Sequence, residues 1–64
     1  MDLSPKRILS ILKENGWELD RIKGSHHVFI KGNESVPVPI HGNHDLKKGT
    51  FLAILKRISA DKQD

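Results

Sequence analysis

Pro37 and Pro39, alternating with Val36, Val38 and Ile40, constrain the fold of this chain more than any other feature. β-Branched residues at every second position predict a strand over Ser35 to Ile40. Proline, however, lacks the amide that a central strand must donate to its neighbours. Residues two apart direct their backbone nitrogens to the same side. Both prolines therefore remove donors from one edge only, and the other edge stays free to pair. The segment is predicted to be an edge strand whose outer side resists further strands.

Two more strands precede it. Trp17 to Lys23 reads as one, with Trp17 and Leu19 alternating with Glu18 and Asp20 until the pattern breaks at Arg21-Ile22. After a turn at Lys23-Gly24, His26 to Lys31 forms the next, and Gly32-Asn33 marks a second tight hairpin. Helical stripes flank the strands. Ser4-Pro5 has the N-cap and first-position residues of a helix, Pro5, Ile8, Leu9 and Leu12 recur at i, i+3, i+4 and i+7, and Asn15-Gly16 ends the run. Phe51, Ile54, Leu55 and Ile58 repeat that spacing near the other end, after a polar loop over His41 to Asp45. The expected fold class is α+β, in the order α-β-β-β-α, with a three-stranded antiparallel sheet carrying both helices on one face.

Sixty-four residues bound this to one domain and one small core, with a frayed tail expected over 60–64. A core of this size is expected to supply roughly 3–5 kcal/mol, so a partner that binds the folded state would also stabilise it. No cysteine is present, which removes disulfides and thiolate metal sites. No segment reads as a signal peptide or a membrane span, and a cytoplasmic location is expected. Eleven Lys and Arg stand against eight Asp and Glu, a surplus of +3 that favours polyanions only mildly.

Lys23-Gly24-Ser25-His26-His27 brings a cation, a glycine turn, a hydroxyl and two imidazoles to one hairpin. That combination offers phosphate-binding groups beside side chains that can gain or lose a proton near neutral pH, which suits chemistry on an RNA backbone better than packing. As strand neighbours His26 and His27 point to opposite faces, so one of them at most is expected to see the RNA. Parity groups His26 with Val28 and Ile30, and His27 with Phe29 and Lys31. By that company alone His26 would be a half-buried histidine at the edge of the core.

Other polar residues admit two readings. Lys47 and Lys48 oppose the dipole at the start of the last helix, either as solvated side chains or as groups that hold a phosphate with the first-turn amides. His41, His44 and Asp45 have the spacing of a metal cluster, but a loop without cysteine is poor material for zinc, and no metal is expected. His41 follows the edge strand, with a supporting role near the hairpin as the lesser of its two readings, whereas His44 reads as solvated. Trp17 reads as core, and Lys6, Arg7, Lys13, Lys56 and Arg57 as solvated helix faces.

The chain resembles the HicA-type toxins, small ribonucleases of HicA–HicB toxin–antitoxin pairs. The resemblance runs through Leu9-x-x-Leu12-x-x-x-Gly16-Trp17, Arg21-x-Lys23-Gly24-Ser25-His26-His27, Val36-Pro37-Val38-Pro39 and Leu46-Lys47-Lys48-Gly49-Thr50-x-x-x-Ile54-Leu55, from Ile8 to Ile58. It implies a fold like that of double-stranded-RNA-binding domains and metal-independent cleavage of messenger RNA. It also implies a HicB-type antitoxin that covers the active surface, with no cofactor and no membrane. The family's catalytic histidine follows Gly-Ser, which corresponds to His26. Lys23, Gly24, Ser25, His27, Lys47 and Lys48 are the expected RNA-binding residues, with His27 also the second candidate for the catalytic role. Two other functions fit the same chain: a non-catalytic nucleic-acid-binding module, which would not require His26, and a subunit whose only partner is another protein.

Overall fold

The computed structural model describes residues 1–60, in the order α1 (Pro5–Glu14), β1 (Glu18–Lys23), β2 (His26–Lys31), β3 (Glu34–Pro39) and α2 (Lys48–Ala60). The tail expected to fray lies outside the described residues, apart from Ala60 at the end of α2.

Local chemistry sets the ends of α1. Ser4 is extended, and its Oγ accepts from the Arg7 amide at 3.2 Å, with Pro5 in the first helical turn. At the other end the Gly16 amide donates to Lys13 O and the Trp17 amide to Leu12 O, with Gly16 at φ +86°. This paired closure needs a left-handed residue at Gly16. It also packs Trp17 against the end of the helix, where Leu12 and Trp17 are both buried.

The three strands pair in the order β1-β2-β3, all antiparallel, through two hairpins whose loops have two residues each. In each loop the first residue, Gly24 or Gly32, has a positive φ and the second does not, the pattern of a II′ turn. The first turn is thus Gly24-Ser25, with Lys23 still in β1. The broken alternation at Arg21-Ile22 also has a physical cause: β1 carries a bulge between Leu19 and Arg21, so Leu19 faces Phe29 and Ile22 faces His27 across the ladder.

Ile8 and Leu12 of α1, Phe29, Val36 and Val38 of the sheet, and Phe51, Ile54 and Ile58 of α2 join Trp17 and Leu46 in one buried cluster. Phe29 pairs with Val36 and His27 with Val38, so these residues mark a single sheet face, and both helices cover it. The Leu46 amide donates to Leu3 O at 2.8 Å, which ties the start of the chain to the approach to α2. On the far side of α2, Arg57 donates to Ser35 O at 2.9 Å.

Candidate nucleic-acid interface

His26, Val28 and Ile30 lie on the opposite face of β2, which no helix among the described residues covers. His26 is exposed. The expectation that aliphatic neighbours would half-bury it fails for a simple reason: parity sorts residues between two faces but does not say which face the helices take. Val28 is 8% exposed yet lies outside the core cluster, across from Pro37 and Arg21 on the helix-free face.

Lys23 and Pro39 flank His26, one from each neighbouring strand. Gly24 and Ser25 form the tip beside it, and the Ile40 amide donates to Ser25 O at 2.7 Å, carrying the β2–β3 ladder up to the turn. At Gly24 a Cβ would meet nothing within 4 Å, so glycine is needed there for its φ of +58° rather than for space.

His27 is separated from this group. It stands on the helix face, half-buried, and with Leu9, Lys13, Trp17, Glu18, Leu19 and Phe29 it lines a mostly apolar hollow. Its Nδ1 and the Trp17 Nε1 are both buried with no hydrogen-bond partner among the described residues. Trp17, at 2% exposed, is core rather than a platform for a base.

A second group assembles next to Pro39. An open pocket of about 300 Å³ is lined by Pro39, His41, His44, Asp45, Leu46, Lys47 and Thr50. A turn at Gly42-Asn43, with the His44 amide donating to His41 O at 3.0 Å, folds the loop so that both imidazoles reach this wall. Lys47 supplies the carbonyl that accepts from the Phe51 amide at 2.9 Å, and Lys48 opens α2 as an exposed residue. The first turn of α2 contains no acidic residue, so its amides and the two lysines form a positive end, with Asp45 as the carboxylate on the same pocket wall. His44, read as solvated, is exposed and stands at this wall, whereas sequence reasoning gave Thr50 no part. The signal that would have placed Thr50 was Pro39, the pairing partner of His26 and the start of the return to α2. His41, His44 and Asp45 do not combine as ligands, and among the described residues no group of three or more His, Cys, Asp or Glu could hold a metal ion.

The arrangement is an open sheet face with one exposed imidazole, a lysine across the hairpin, and a neighbouring pocket at a positive helix end. Chemically it can engage a polyanion along the sheet and exchange a proton at His26. Among the described residues no helix is long and apolar enough to cross a membrane.

A family model described as the HicA toxin of bacterial toxin–antitoxin matches residues 5–59. No curated protein and no solved structure matches the chain.

Proposed function

Since this chain belongs to the HicA toxin family, the toxin half of a toxin–antitoxin pair with an antitoxin as its partner, we propose that it is an endoribonuclease acting on messenger RNA without a metal, with His26 as general acid or base. The observation that carries this reading is the exposure of His26 on the helix-free face, between Lys23 and Pro39.

In the proposed reaction the 2′-oxygen forms a bond to phosphorus while the bond from phosphorus to the 5′-oxygen of the next nucleotide breaks. One proton leaves the 2′-hydroxyl and one reaches the departing oxygen. A single exposed imidazole can accept the first or donate the second, and such a group contributes ~100- to 10,000-fold. Lys23 binds the reacting phosphate, and Gly24 and Ser25 shape the tip that approaches the strand. Lys47 and Lys48 hold phosphate further along, with the pocket wall at His41 between. His27, on the opposite face, is left out of this surface. A HicB-type antitoxin would silence the toxin by covering the His26 face, and the cytoplasm, where messenger RNA lies, is the place of action.

The test is RNA cleavage by the purified chain. His26→Ala should abolish cleavage and leave the circular dichroism spectrum unchanged, and EDTA should have no effect on the parent. A His26→Ala chain that cuts as fast as the parent removes the assignment. Salt-sensitive RNA binding by a parent that never cuts would make the chain a passive binder instead.

A further inference from the structure

The two edges of the sheet differ. The bond from the Ile40 amide to Ser25 O sets the phase of the β2–β3 ladder, so the amides of Val36, Val38 and Ile40 turn inward. The nitrogens of Pro37 and Pro39 consequently face outward, where no further strand can receive a hydrogen bond from them. β1 carries no such block. The same phase carried across the sheet pairs His26, Val28 and Ile30 with Lys23, Arg21 and Glu18, and it directs the backbone groups of Leu19 and Ile22 to the open edge.

Those two residues also carry exposed apolar side chains, 48% at Leu19 and 56% at Ile22. In an unbroken strand residues three apart face opposite ways. The bulge between Leu19 and Arg21 places both on the helix side and on the same edge. Free backbone groups and apolar side chains therefore coincide, a combination that edge strands normally avoid.

The strand is also its own complement. When Glu18-Leu19-Asp20-Arg21-Ile22-Lys23 is set antiparallel to a second copy, about a two-fold axis between Asp20 and Arg21, Glu18 falls opposite Lys23, Leu19 opposite Ile22 and Asp20 opposite Arg21. Each match occurs twice, as an isologous contact requires. The apolar match joins the two positions with outward backbone groups, so it is the hydrogen-bonded pair as well. A slip of one residue either way sets Asp20 against Asp20 or Arg21 against Arg21, and brings side chains from different faces together. The strand's own charge is balanced, two acids against two bases, although the chain carries +3. In the monomer Asp20 and Arg21 pair with each other in the open, so exchanging them between copies costs little.

We propose that β1 is a self-recognition edge, through which two copies form a symmetric dimer with a continuous six-stranded antiparallel sheet and all helices on one side. Sedimentation equilibrium over a range of concentrations at low salt tests it. The parent should rise from 7.2 kDa toward twice that mass. Glu18→Lys alone and Lys23→Glu alone should stay monomeric, because each sets like charges against each other at both ends of the paired strands. Their equimolar mixture should recover the dimer. The lysine introduced in one chain then meets the glutamate introduced in the other, and the unchanged Lys23 of the first meets the unchanged Glu18 of the second. Hydrogen exchange at the Leu19 and Ile22 amides should slow as the dimer forms, and circular dichroism shows that each variant is folded. A parent that remains monomeric, a Glu18→Lys chain that dimerises as well as the parent, or a mixture that stays apart would overturn the proposal. So would a monomeric toxin whose antitoxin binding is lost on Glu18→Lys, which would assign this edge to the antitoxin.

Discussion

Lys23 and His26 stand directly opposite each other across the first hairpin, on the face that the helices leave open. A cation is thereby held next to the imidazole by the pairing of the strands rather than by a flexible loop. In a closed site one group that stabilises transition-state charge is worth ~100-fold or more. Lys23 is open to water, so Lys23→Met should slow RNA cleavage by about tenfold. The loss should shrink as salt rises and screens the parent's lysine. Single-turnover rates at two ionic strengths measure both effects.

Lys47 and Lys48 predict a different signature. They lie beyond Pro39, at the positive end of α2, so their removal should weaken RNA binding and leave the chemical step intact at saturation. Each phosphate contact to a single strand contributes ~0.7 to the slope of log K against log salt. Lys47→Ala with Lys48→Ala should therefore flatten that slope by roughly 1.4, read from binding titrations on a His26→Ala background.

Phe51 tests the core. It is 2% exposed, and removing a buried phenylalanine costs ~3–5 kcal/mol. That equals the roughly 3–5 kcal/mol expected for a core of this size, so Phe51→Ala should be largely unfolded at room temperature. Leu52, its neighbour on the exposed side of α2, is 44% exposed, and Leu52→Ala should shift stability by only about 0.5 kcal/mol. Urea titration followed by circular dichroism separates the two.

Gly24 and Gly49 should respond to alanine with opposite signs. A Cβ at either position meets nothing within 4 Å, so sterics do not decide the outcome. Gly24 has φ +58°, and an L-residue there costs ~1–2 kcal/mol. Gly49 lies within α2 without a positive φ, and alanine there should add about 0.5–1 kcal/mol of stability. Thermal melts of the two variants give the signs directly.

Much of this fold can be read from local signals. The apolar stripes mark both helices because Ile8 and Leu12, and Phe51, Ile54 and Ile58, point to one core. Ser4-Pro5 and Asn15-Gly16 carry the chemistry of their termini, and the outward prolines of β3 follow from their spacing alone. The bulge in β1 shows in the sequence only as the broken alternation at Arg21-Ile22, and since every residue of that strand is exposed no burial pattern places the extra residue. Glycine, serine, histidine and the resemblance singled out His26, but its exposure depends on where the helices pack. The pocket of His41, His44, Lys47 and Thr50 is likewise tertiary, produced by the turn at Gly42-Asn43 bringing the loop back to the start of α2.

The outward-facing imino nitrogens of β3 bear on solubility. Since one flank of the sheet cannot be extended, association by backbone pairing stops once the other flank is filled. Growth of the native sheet from copy to copy needs two pairing edges on every unit, and β3 withholds one.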